Sequence, residues 1–188
     1  MKLRMYGLLI ACLAAGAFAT VWAADGSFPT VETKTFDKER FVFPSDLRGT
    51  RLNVLFLAMS NDQDKGEYLQ QALIDWQAAL EARGALGDGV MAWHFPVLSG
   101  PPFFVKGLIT RGMRKAYDGK VPLDQAGVLF VDDLDAFAAA AGLVVDNRPT
   151  IVITTADAQQ LQVFKGDATR ESADAVVRAI AGFIADAH

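Results

Sequence analysis

The chain has 188 residues, with 18 Lys and Arg against 22 Asp and Glu, a formal net charge of −4. An acidic balance argues against nucleic acid as a partner, because such a partner needs a clustered basic surface. Cys12 is the only cysteine, and His94 and His188 are the only histidines, so neither a metal site nor a cofactor is expected.

Residues 1–24 read as a cleaved export signal. Lys2 and Arg4 precede an uncharged run from Met5 to Ala24 that ends in small residues, and the polar Asp25-Gly26-Ser27 follows at once. Two other readings of this segment rank behind it. Leu9-Ile10-Ala11-Cys12 has the form of a lipoprotein motif, but an apolar stretch follows Cys12 where a polar tether belongs. An uncleaved membrane anchor comes third, since alanines and glycines make the run only weakly hydrophobic. Cleavage removes Cys12 and leaves a single domain over 25–188, expected in the periplasm. That domain has 16 basic and 22 acidic residues, a net −6, and no thiol chemistry of its own.

Residues 25–40 are polar and mixed and suggest an extended lead-in. A short Phe41-Val42-Phe43-Pro44 segment and a turn at Asp46-Leu47-Arg48-Gly49 come next. The run LNVLFLAM, Leu52 to Met59, is continuously apolar apart from Asn53, the mark of a strand covered on both faces. A helix is predicted over 62–83. Leu69, Leu73, Trp76 and Leu80 share its buried face, Asn61 or Asp62 caps it, and Gly84 ends it. Residues 90–98 suggest a second strand, weakened by Pro96. His94, between Trp93 and Phe95, reads as a packed or edge histidine and not a ligand.

Residues 100–120 open with Pro101-Pro102 and carry an aromatic, basic, glycine-studded stretch. Gly107 and Gly112 weaken any long helix there. A third strand follows over 127–131, then a short alanine-rich helix capped by Asp132 or Asp133 and ended by Gly142. Strands over 150–154 and 161–164 flank a turn at Ala156-Asp157. A last helix buries Val176, Ile180, Phe183 and Ile184. Alternating strands and helices around an apolar first strand imply parallel pairing, and the terminal hairpin adds an antiparallel edge.

Three stretches in this order resemble the thioredoxin-like superfamily, in particular its exported redoxin branch. They are Asp46-Leu47-Arg48-Gly49 with LNVLFLAM, the short helix after Asp132 leading to Arg148-Pro149, and Pro149-Thr150-Ile151-Val152-Ile153. The resemblance implies an α/β sandwich, a central mixed sheet flanked by helices. It also implies a cis Arg148–Pro149 bond beside the first helix. Thioredoxins place a Cys-x-x-Cys motif at that helix N-terminus, where dipole and free N–H groups favour the thiolate. Here Asn61 and Asp64 occupy the two cysteine positions, so the implied scaffold lacks its chemistry. The segment Gly107-Leu108-Ile109-Thr110-Arg111-Gly112-Met113-Arg114 is more loosely similar to the mitochondrial ATP-synthase assembly factor group, which implies an assembly or chaperone role.

Two classes of function follow. The first is a redox-inactive factor that binds another protein through residues 101–117. There Phe103, Phe104, Leu108, Ile109 and Met113 supply an apolar strip, and Lys106, Arg111, Arg114 and Lys115 supply charge suited to an acidic partner or anionic lipid head groups. The second is a cysteine-independent enzyme or small-ligand protein using a groove near Asn61, Asp64 and Pro149. Each has a plainer counterpart: first-turn capping for Asn61 and Asp64, and aromatics capping one end of the sheet for 101–117.

Overall fold

The computed structural model describes residues 26–186, so the expected signal segment, Cys12 included, lies outside the described residues. Seven strands and four helices follow in order: β1 (Val31–Lys34), β2 (Arg40–Phe43), β3 (Leu52–Met59), α1 (Gly66–Glu81), β4 (Val90–Ser99), α2 (Phe103–Tyr117), β5 (Leu129–Val131), α3 (Leu134–Ala140), β6 (Thr150–Thr155), β7 (Gln160–Lys165) and α4 (Arg170–Asp186). Five strands form a mixed sheet in the order β5-β4-β3-β6-β7. β3 and β5 run parallel to β4, and β6 is antiparallel to both β3 and β7. This is the α/β sandwich with a central mixed sheet that the sequence implies.

The apolar run in β3 is explained by its central place, with all eight residues buried. Side chains alternate across the sheet. Leu55, Leu57 and Met59 join Trp93, Phe95, Phe41, Phe43 and Phe137 on the face covered by α3 and the β1–β2 hairpin. Val54, Phe56 and Ala58 join Leu69, Leu73, Trp76, Val176 and Ile180 on the face covered by α1 and α4. Pro96 is tolerated in β4 for a geometric reason. The His94 carbonyl accepts from Gly127 N–H at 3.0 Å, so by alternation the Pro96 nitrogen also faces β5, which joins β4 only from Val97 onward.

Asn53 is the one polar side chain on β3, and it is fully buried. Its Oδ1 accepts from Gly49 N–H at 2.8 Å and from the Trp93 indole N–H at 3.0 Å, while its Nδ2 donates to the Thr155 carbonyl at 3.1 Å. Gly49 is required beside it. A Cβ there would lie 2.1 Å from the Leu52 carbonyl oxygen and 2.6 Å from Asn53 Oδ1.

Three expectations need correction. Residues 25–40 are more than a lead-in, because β1 and β2 pair as an antiparallel hairpin with Val31 opposite Phe43. Its half-buried, half-exposed alternation over Val-Glu-Thr-Lys is a strand signal too short to stand out from a polar segment. Residues 103–117 form a regular 15-residue helix despite Gly107 and Gly112. Val105, Ile109, Met113 and Tyr117 recur every fourth residue on its inner face, where Tyr117 is buried and the other three are half-buried, and this contact offsets a glycine cost of about 1 kcal/mol each. The cis peptide bond among the described residues is Phe43–Pro44, not Arg148–Pro149. Before β6 the chain bends at Asn147, held in the left-handed region at φ +57°, and Pro149 is trans and buried at the start of the strand.

Truncation at Asn53 tests the role of its hydrogen bonds. Asn53→Ala leaves the buried Gly49 and Trp93 N–H groups without partners, while the Thr155 carbonyl keeps the Ala158 N–H, and is expected to cost about 3 kcal/mol in urea unfolding. A change within about 0.5 kcal/mol, the scatter typical of surface substitutions, would show that the three bonds do not hold the sheet together.

Candidate functional site

The C-terminal ends of β3 and β4 meet the first turns of α1 and the inner face of α2 around a groove of about 650 Å³. Ala58, Pro96 and Leu98 form its floor. Leu69 and Gln70 of α1 form one wall, and Val105, Ile109 and Met113 of α2 the other. Ser60, Asn61 and Asp62 after β3, and Ser99 to Pro102 after β4, border it at the C-terminal ends of these parallel strands. Asp62 is the only ionisable residue in this lining. α2 is held over the groove from its C-terminal half: Arg114 Nε donates to the Phe36 carbonyl at 2.8 Å, and Tyr117 is buried.

The polar end is tied down by its own hydrogen bonds. The Ser60 hydroxyl accepts from Asp62 N–H at 2.9 Å and lies 2.6 Å from the Asn147 side-chain oxygen. Asp62 Oδ1 accepts from Asp64 N–H at 3.0 Å, and Asn61 Nδ2 reaches Asp135 Oδ1 at 3.4 Å. Neither Asn61 nor Asp64 caps α1, whose start has no side-chain cap and follows a 3₁₀ turn over Gln63–Lys65. The expected cluster of Asn61, Asp64 and Pro149 therefore divides. Asn61 lines the groove, Asp64 stays exposed on the turn, and Pro149 is buried at the foot of β6.

The residues of 101–117 divide as well. Ile109 and Met113 face the groove, whereas Phe103, Phe104, Leu108, Arg111 and Lys115 face away from it and are exposed. Lys106 Nζ sits 5.2 Å from the centre of the Phe130 ring, a cation–π contact with the β5 edge. Arg114 is structural through its bond to Phe36. The sequence places a groove near Asn61 but not its walls, since the lining is drawn from three separate stretches. The one signal was the four-residue repeat Val105, Ile109, Met113, obscured by the intervening glycines.

Beneath the groove, His94 is fully buried, packed 4.7 Å from the Phe56 ring. Gln77 Nε2 donates to Glu81 Oε1 at 2.6 Å, which turns Gln77 Oε1 toward His94 Nε2 at 3.0 Å. That arrangement requires the neutral tautomer protonated on Nε2. Nδ1 and the Tyr117 hydroxyl have no hydrogen-bond partner, although their rings meet edge-on at 5.6 Å. Burial lowers the His94 pKa to about 3 and pushes the Tyr117 phenol up. His94 is thus a packed core histidine, as its place between Trp93 and Phe95 suggests.

No protein-family model matches the chain, and no curated protein matches it in sequence. Solved structures match it in shape. A SCO1/SenC family lipoprotein from Bacillus anthracis superposes with a TM-score of 0.55 at 11% identity, over 89% of this chain and 99% of that one. BsSco, a member of the Sco family of cytochrome c oxidase assembly proteins, gives 0.51 at 12% identity, over 84% and 93%. The thioredoxin domain of a thiol-disulfide oxidoreductase from Bacteroides vulgatus gives 0.51 at 12%, over 85% and 96%.

The buried histidine makes a pH prediction with a definite sign. Its pKa is lower in the folded chain than the ordinary value near 6.5, so the unfolded state binds the extra proton as pH falls. Stability is therefore complete above about pH 6.5 and declines toward pH 3 by about 1.4 kcal/mol per pH unit. Asp146, whose pKa is lowered by Lys165 and Arg148 against the opposing effect of burial, adds a loss in the same direction only below the ordinary carboxylate range. Chemical denaturation across pH 4.5–6.5 should show this slope in the wild type and its absence in His94→Gln. An identical slope in the variant would refute the assignment.

Proposed function

Because this chain has the thioredoxin-like fold yet no cysteine after Cys12, we propose that it is a redox-inactive, extracytoplasmic protein that binds a segment of another protein. The observation that carries this reading is the groove at the corner where the superfamily resemblance places the dithiol. It is walled by apolar side chains of α1 and α2 and bordered by the amide and hydroxyl groups of Asn61 and Ser60. Apolar walls with a few polar groups at one end favour binding. Asp62 stands alone among ionisable groups in the lining, so any acid–base help there would rest on a single carboxylate. Export follows from the reading of residues 1–24. An assembly role draws on fold analogy with BsSco and on the looser resemblance of 107–114, both of which are associational.

The test uses the full chain carrying a photo-reactive side chain at Val105, in the groove wall, or at Ala181, on the exposed side of α4. A discrete protein adduct is expected from position 105 and not from 181, and Met113→Trp, which fills the groove, should abolish it. The same preparation should show no disulfide reductase, oxidase or thiol-peroxidase turnover above buffer. Equal adducts from both positions, adducts indifferent to Met113→Trp, or robust thiol turnover would each reject the reading.

A further inference from the structure

The outer face of α2 is the most apolar exposed surface among the described residues. Phe103, Phe104 and Leu108 are 90%, 82% and 68% exposed, three of the five large exposed hydrophobic side chains. Projecting aromatics at this exposure need a covering phase. Phe104, Leu108, Arg111 and Lys115 follow one another at intervals of four, three and four residues, which places them along a single outward line. Arg111 and Lys115 make no hydrogen bond or ion pair among the described residues. α2 cannot turn this face inward, because Tyr117 is buried on the far side and Arg114, on the flank, is bonded to the Phe36 carbonyl.

The charge distribution points to the occupant. Residues 89–117 hold four of the 18 basic residues and none of the 22 acidic ones, leaving 14 basic against 22 acidic residues elsewhere. A negatively charged plane would attract this face and repel the remainder, fixing one orientation. The shape narrows the choice further. A rigid protein partner must offer a matching pocket to each projecting phenyl ring, whereas a fluid acyl boundary accepts a convex apolar tip without one.

We propose that the outer face of α2 docks on an anionic phospholipid surface, with Phe103, Phe104 and Leu108 in the boundary between head groups and acyl chains and Arg111 and Lys115 among the phosphates. This goes beyond the groove reading and does not depend on it, since groove and docking face lie on opposite sides of the helix.

The experiment places an environment-sensitive fluorophore at Gly107→Cys in the processed chain, residues 25–188, which carries no other cysteine. Position 107 is exposed beside the docking line, and nothing lies within 4 Å of an added Cβ. A second chain carries the label at Ala181→Cys. Vesicles of phosphatidylethanolamine with phosphatidylglycerol should shift the emission at 107 to the blue at low salt. Vesicles of phosphatidylcholine alone should not, and the label at 181 should remain unchanged. Arg111→Gln with Lys115→Gln should raise the lipid concentration for half-maximal response about 30-fold, from roughly a fivefold contribution per basic residue at such a surface. Phe103→Ser with Phe104→Ser and Leu108→Ser should abolish the response while circular dichroism and melting stay as in the wild type. An emission at 107 that ignores every vesicle overturns the proposal, even if the same face captures an acidic protein. So does an equal shift at 181, which would put the contact elsewhere on the chain.

Discussion

Asn53 occupies the centre of an apolar strand and makes three hydrogen bonds there, to the Gly49 turn, to Trp93 on β4 and to Thr155 on β6. A buried amide without partners costs about 1–3 kcal/mol per lost bond, so each of its neighbours is held in register as well as in contact. Its place on β3 also sets the polarity of the sheet. With Asn53 on the hairpin side, Leu55 and Leu57 share that side, and Val54 and Phe56 face α1 and α4. A slip of one residue would put the amide under α1 and leave the Trp93 indole without its acceptor.

From that frame the groove follows. β3 and β4 both carry α1-facing side chains to their C-terminal ends, and α1 covers them only as far as Leu69 and Gln70. α2 does not seal the remainder, because its anchors are at its far end: Tyr117 in the cluster with Phe36 and Ile74, and Arg114 on the Phe36 carbonyl. Its N-terminal half begins after Pro102, with no side-chain cap and with both leading phenylalanines outward. A helix buried at one end and free at the other leaves a trough beneath it and an apolar ridge above it.

How much of this the sequence disclosed depends on how local the signal was. β3 was legible because burial on both faces leaves a continuous apolar run. α1 was legible because Leu69, Leu73, Trp76 and Leu80 repeat at helical spacing under ordinary propensity. The helix over 103–117 was not, because two glycines argued against it locally while its stripe of Val105, Ile109, Met113 and Tyr117 was stabilised by distant residues such as Phe36 and Ile74. The hairpin escaped for a similar reason, since Thr33 and Thr35 are ordered by β5 and its lead-in, through the Val128 carbonyl and the Gly127 bridge. The partners of Asn61 and Asp64, which are Asp135 and Asp62, depend on loop geometry that spacing alone does not reveal.

That loop geometry also differs from what a thiolate at this corner would need. Thiolate stabilisation needs unpaired N–H groups at the first turn of a helix. Here regular α-helical structure begins at Gly66, after the 3₁₀ turn, and the Asp64 N–H is already taken by the Asp62 carboxylate. A sulfur at position 61 or 64 would meet a nearby negative charge instead of a vacant donor, and that charge would raise its pKa. Departure from the dithiol pattern is therefore built into the backbone as well as the side chains. What remains at the corner is a fixed polar edge, Ser60 to Asp62, beside an apolar trough. Under the proposed reading, such an edge would orient a bound segment by hydrogen bonds and leave affinity to the apolar walls.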